Sequence, residues 1–92
     1  MKEIWKYELD KYLISNGMIT DSPVIGMPED FETLTVQMQG GSPCLWVIVD
    51  PHKPLRAIPF CIFGTGQEMK KEVKKYVGTW QTNGFVFHLF EA

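Results

Sequence analysis

Apolar and polar residues alternate along most of this chain, and the alternation predicts β-strands. In Phe31–Gln39, Leu34, Val36 and Met38 point one way, while Thr33, Thr35, Gln37 and Gln39 point the other. A period of two is the mark of a half-buried strand. Gly40-Gly41 follows as a two-residue hairpin turn into the apolar run Leu45–Val49. That turn sets a register with Val36 opposite Leu45, Leu34 opposite Val47, Thr35 opposite Trp46 and Gln37 opposite Cys44. A slip of one residue would exchange the two faces. Near the C-terminus, Asn83-Gly84 separates Tyr76–Thr82 from Phe85–Phe90. Asn-Gly between β-branched and aromatic runs is the strongest short-range hairpin signal, because both turn residues must take φ > 0. This register puts Trp80 opposite Phe87 and Thr79 opposite His88.

The remaining segments read less evenly. Ile4–Leu9 alternates as a strand. Residues 10–21 read either as a helical turn stopped by Asn16-Gly17 or as more strand. Ser22–Met27, flanked by Pro23 and Pro28, is at best an edge strand. Asp50–Pro54 is a turn, and Leu55–Phe63 is a strand, either bent or at a sheet edge near Pro59. Gln67–Lys75 reads equally as a short helix or a charged loop. The sum is one all-β domain over residues 1–92: a compact antiparallel sheet curled into a small barrel or roll, with at most one short helix.

Composition adds limits. The 92 residues carry a formal net charge of -2, which argues against general DNA binding or an anionic membrane partner. No apolar run reaches transmembrane length, and Met1–Trp5 runs into strand-like sequence without a signal-peptide core. A soluble, cytoplasmic protein is expected. Cys44 and Cys61 lack a CxxC spacing and read as buried thiols. The pieces of a nucleophilic site are scattered, so neither an enzyme nor a metal or cofactor site is expected.

Three surfaces are candidates for binding. Gly64-Thr65-Gly66 ends a strand, where glycines at φ > 0 could aim backbone N–H groups at an anion. Arg56, Lys70 and Lys71 are the cations expected to assist. A plain turn is the competing reading, since no P-loop lysine follows. The face carrying Thr35, Gln37 and Trp46 suits stacking and hydrogen bonding to a planar ligand, a protein partner, or ordinary cross-strand packing. His88 is expected to pack against Thr79 at the surface or in an interface.

Ile4-Trp5-Lys6-Tyr7, Pro43-Cys44-Leu45-Trp46, Val49-Asp50-Pro51, Phe63-Gly64-Thr65-Gly66 and Phe87-His88-Leu89-Phe90-Glu91 form an ordered set. Together they resemble a family of short phage and prophage proteins of unknown function. The resemblance implies an accessory protein acting in the cytoplasm of an infected bacterium. By analogy of size and origin, it points to a homo-oligomer that sequesters an anionic nucleotide-like signal of host defence. A protein–protein inhibitor or structural accessory factor is the alternative.

Overall fold

The computed structural model describes the backbone of residues 1–92 and every side chain but that of Ser15. Nine strands run in chain order: β1 (Glu3–Glu8), β2 (Ile14–Ser15), β3 (Met18–Ile19), β4 (Val24–Pro28), β5 (Glu32–Gln39), β6 (Ser42–Val49), β7 (Leu55–Gly64), β8 (Lys75–Thr82) and β9 (Phe85–Glu91). A 3-10 turn at Leu9–Tyr12 is the one helical element among the described residues. All pairings are antiparallel, so the all-β class is observed. The strands form two antiparallel sheets, β1-β6-β5 and β4-β7-β9-β8, with β2-β3 as a small separate hairpin.

The glycine-containing turns behave as their chemistry demands. Gly40 and Gly41 have φ of 59° and 83°, and Asn83 and Gly84 have 50° and 82°. These left-handed values match the right-handed twist of the strands they join. The registers follow: Val36 faces Leu45, Thr35 faces Trp46 and Gln37 faces Cys44, while Trp80 faces Phe87 and Thr79 faces His88. Asn16 and Gly17, at φ of 52° and 75°, close the β2-β3 hairpin in the same way. Residues 10–21 thus hold the end of a helical turn, Leu9–Tyr12, followed by this short hairpin rather than a continuation of β1. Gln67–Lys74 is loop, and Lys75 already belongs to β8.

One expected pairing is corrected. Thr33, not Leu34, faces Val47, because a bulge interrupts β5 between Thr33 and Thr35. The bulge turns Leu34 outward and buries Thr33. The buried Thr33 hydroxyl donates to Glu91 Oε2 at 2.6 Å, and the Thr33 carbonyl accepts from Lys75 Nζ at 3.0 Å. Charged partners for both polar groups offset their desolvation, so a polar residue is tolerated inside. This clasp joins the β5 margin of one sheet to β8 and β9 of the other.

The core lies between the sheets. Ile25, Met27, Val36, Leu45, Val47, Phe60 and Leu89 are buried there, with Leu9 from the 3-10 turn closing one side. Cys44 and Cys61 are free and buried. The Tyr7 hydroxyl, on the β1 side, is buried without a hydrogen-bond partner. Burial, then the nearby Tyr12, pushes its pKa above the ordinary tyrosine value. Tyr7→Phe should therefore raise stability by about 1 kcal/mol, since an unsatisfied buried group costs about 1–3 kcal/mol. A pKa raised by folding contributes stability that is present below the unfolded value and lost as pH rises through the folded one. The gain from Tyr7→Phe should thus widen in strongly alkaline buffer. Urea titration at neutral and alkaline pH checks both, and a loss of stability at neutral pH would mean that the hydroxyl has a partner.

Candidate functional site

The Gly40-Gly41 and Asn83-Gly84 turns, the Gly64 end of β7 and the β2-β3 hairpin gather at one end of the molecule. They enclose a cleft of about 760 Å³. Its apolar wall is Leu13, Ile19, Pro43, Ile62, Trp80 and Phe87, and its polar groups are Asp10, Thr20, Asp21, Gln67, Thr82 and Asn83. The Trp80 and Phe87 rings lie 5.6 Å apart as a cross-strand pair, so the aromatic wall is fixed by the hairpin register. A second hollow of about 420 Å³ lies beside it, lined by Asp21, Phe63, Gln67, Glu68, Lys70 and Lys71. The two share Asp21 and Gln67 in their walls.

Asp21 is held between these hollows. Its carboxylate accepts from the Ser22 hydroxyl at 3.1 Å and lies 3.5 Å from Lys71 Nζ. The Ser22 hydroxyl first, and the Lys71 ammonium with it, keep the Asp21 carboxyl below the ordinary aspartate range. Lys71 also donates to the Ser22 hydroxyl. Lys70 lines the same hollow, and both lysines are exposed. Cys61 lies in β7 beside this loop; burial pushes its thiol pKa up, which disfavours the nucleophilic thiolate.

The Gly64-Thr65-Gly66 turn commits two of its N–H groups to neighbouring residues. Gly64 N–H donates to Gln67 Oε1 at 2.9 Å and Thr65 N–H to the Val86 carbonyl at 3.1 Å. Gly66 alone of the three has positive φ, at 87°. Gly64 has ordinary backbone geometry, and a Cβ there would meet only Gln67 Oε1, at 3.8 Å. The expectation that Gly64 needs φ > 0 is corrected accordingly. The Thr65 hydroxyl is engaged as well, 2.8 Å from His88 Nε2. His88 Nδ1 lies 2.9 Å from the Thr79 hydroxyl, which in turn bonds Tyr76. His88 thus bridges the turn to β8 across the outer face of the sheet, and its expected packing on Thr79 is observed.

Lys70 and Lys71 lie close to this turn, through Gln67, but Arg56 does not. Arg56 sits at the far end of β7 from Gly64, about 26 Å away at roughly 3.3 Å per residue. There it pairs with Glu29 at 3.1 Å. Thr35, Gln37 and Trp46 share the outer face of β1-β6-β5. Lys6 covers the Trp46 ring at 5.8 Å and donates to Gln39 at 2.9 Å. That face is separate from the cleft.

The cleft residues Asp10, Thr20, Asp21, Trp80, Asn83 and Phe87 are not among the binding candidates read from the sequence, of which Gly64 lines the cleft. They come from segments far apart in the chain. One usable signal was available: Asn16-Gly17 predicts the β2-β3 hairpin that carries Ile19 and Thr20 to the rim. Among the described residues, no helix is long and apolar enough to cross a membrane. The chain belongs to the family described as Domain of unknown function (DUF7352), whose model matches residues 1–92. No curated protein and no solved structure matches the chain.

Proposed function

We propose that this protein is a non-enzymatic binding protein for an anionic nucleotide-like small molecule. The observation that carries the reading is the pair of adjoining hollows, one amphiphilic and one that sets Lys70 and Lys71 beside Asp21 and Glu68. A cleft of this size that sets an apolar, aromatic wall against convergent polar groups suits a small-molecule ligand. The base would lie against Trp80 and Phe87. Asp10, Asn83 and Thr20 would accept from, or donate to, the base edge and sugar hydroxyls. The phosphate would reach Lys70 and Lys71, taking the place of Asp21 beside Lys71. The Gly64-Thr65-Gly66 turn supports the walls through Gln67 rather than cradling phosphate with its own N–H groups.

The resemblance to short phage and prophage proteins extends this reading to sequestration of a nucleotide signal of bacterial host defence by a homo-oligomer in the infected cytoplasm. Calorimetry against cyclic dinucleotides and ADP-ribose derivatives tests it. Lys70→Ala combined with Lys71→Ala should weaken the best ligand by about 1–3 kcal/mol, the scale of hydrogen bonds to charged groups. The matching phosphate-free nucleoside should bind both forms alike. Absence of heat with every member of the panel would overturn the anionic reading.

A protein–protein inhibitor or accessory factor is favoured by a different observation. Met18 and Ile19, which form β3 at the rim of the cleft, are 72% and 88% exposed. Exposed apolar side chains on a short hairpin suit a macromolecular partner. Loss of such a partner on Met18→Ser with Ile19→Ser, with small-molecule panels silent, would support it.

A further inference from the structure

The margins of the two sheets are treated differently by the sequence. The β5 and β8 margins face each other, and each carries a bulge, at Leu34 and at Val77. The β4 margin is bounded by Pro23 and Pro28, which limit pairing there. The β1 margin has neither device. It pairs with β6 over six residues without a register shift. It has no proline, and among the described residues its strand makes no backbone hydrogen bond beyond that pairing. An unpaired edge of this length is a template for another strand unless something blunts it. Lysine is the usual blunting residue, but Lys6 is folded onto its own sheet, bonded to Gln39 over the Trp46 ring.

We propose that the chain dimerises by antiparallel pairing of β1 with β1 of a second copy, about a two-fold axis at Trp5. Such an axis runs perpendicular to the sheet and preserves its faces, so residues on one face must meet residues on the same face. Axes lying between residues are thereby excluded. Centred on Trp5, the register puts Trp5 opposite Trp5, Ile4 opposite Lys6, Glu3 opposite Tyr7 and Lys2 opposite Glu8. The Lys2–Glu8 pair forms twice. An axis at Ile4 would instead set Lys2 against Lys6 twice, and one at Lys6 would set Lys6 against itself. Opposed like charges destabilise a strand pair, so the charges select the Trp5 register. Glu8 is free to take part, because its ion pair with Lys11 is long, at 3.9 Å, and exposed. The product is a continuous sheet of six strands, β5-β6-β1 joined to the same three of the second copy.

Light scattering and sedimentation across the micromolar range, with circular dichroism to verify folding, test the interface. The wild-type chain should be dimeric. Glu8→Lys should weaken the dimer roughly ten- to a hundredfold, because two attractive pairs become two repulsive ones. Lys2→Glu should act similarly, and the two together should restore wild-type affinity. A wild-type chain that stays monomeric throughout would overturn the proposal. So would a dimer indifferent to Glu8→Lys, or a double variant no tighter than either single one.

Discussion

Gly78→Ala should destabilise the protein by about 3 kcal/mol and lower its Tm by about 12–24 °C, a large effect for one methyl group. Gly78 has an ordinary φ, so backbone strain is not the reason. Space is. A Cβ at Gly78 would lie 2.7 Å from Val36 Cγ1, 2.9 Å from the Val36 nitrogen and 3.3 Å from its oxygen. Val36 is buried and β-branched, with little freedom to turn its methyl away. Its backbone is fixed by pairing with Leu45. The added methyl could be accommodated only by moving β5 away from β8, which would loosen the junction held by Thr33, Glu91 and Lys75. Gly26→Ala is the control, since nothing lies within 4 Å of a Cβ there and its φ is not positive. Thermal melts of the two variants should differ widely. Equal, small losses would mean that the two strand margins do not approach this closely.

Gly78 also marks the boundary between what local sequence carries and what it does not. Asn83-Gly84 and Gly40-Gly41 fix their hairpins because the required backbone conformation is a property of the turn residues themselves. From each turn the register propagates along the strands, and Thr35–Trp46, Gln37–Cys44, Trp80–Phe87 and Thr79–His88 follow. Asn16-Gly17 is the same signal between strands of two residues each, too short for any alternation to be visible. The bulge at Leu34 reverses a clean alternating pattern, because Thr33 finds Glu91 58 residues away. The approach of Val36 to Gly78 is equally long-range. The candidate site divides along the same line. Lys70 and Lys71 are near the Gly64–Gly66 turn because they are near it in sequence. Arg56 is also close in sequence, but an extended strand carries it away. The cleft draws on five separated stretches of chain, so no spacing announces it.

Phe60→Ala should cost about 3–5 kcal/mol, a large share of the roughly 5–15 kcal/mol by which a domain is stable. Phe60 is fully buried and is the largest such side chain in the core. It sits where β7 changes partners. Ile58 and Pro59 pair with β4, whereas Phe60 pairs with Glu91 of β9 and donates its N–H to the Pro23 carbonyl at 2.9 Å. Removing the ring leaves a cavity at that changeover, walled by strands whose own pairings restrain collapse. Phe85→Ala is the informative comparison. Phe85 is 65% exposed and stacks on Phe87 at 6.2 Å, so its loss in the isolated chain should cost about 1 kcal/mol or less. Urea titrations of both variants, at protein concentrations spanning any association, separate the two roles. A small loss from Phe60→Ala would mean that the core does not lie between the sheets. A Phe85→Ala loss that approaches that of Phe60→Ala, and grows with concentration, would mean that Phe85 is covered by another chain.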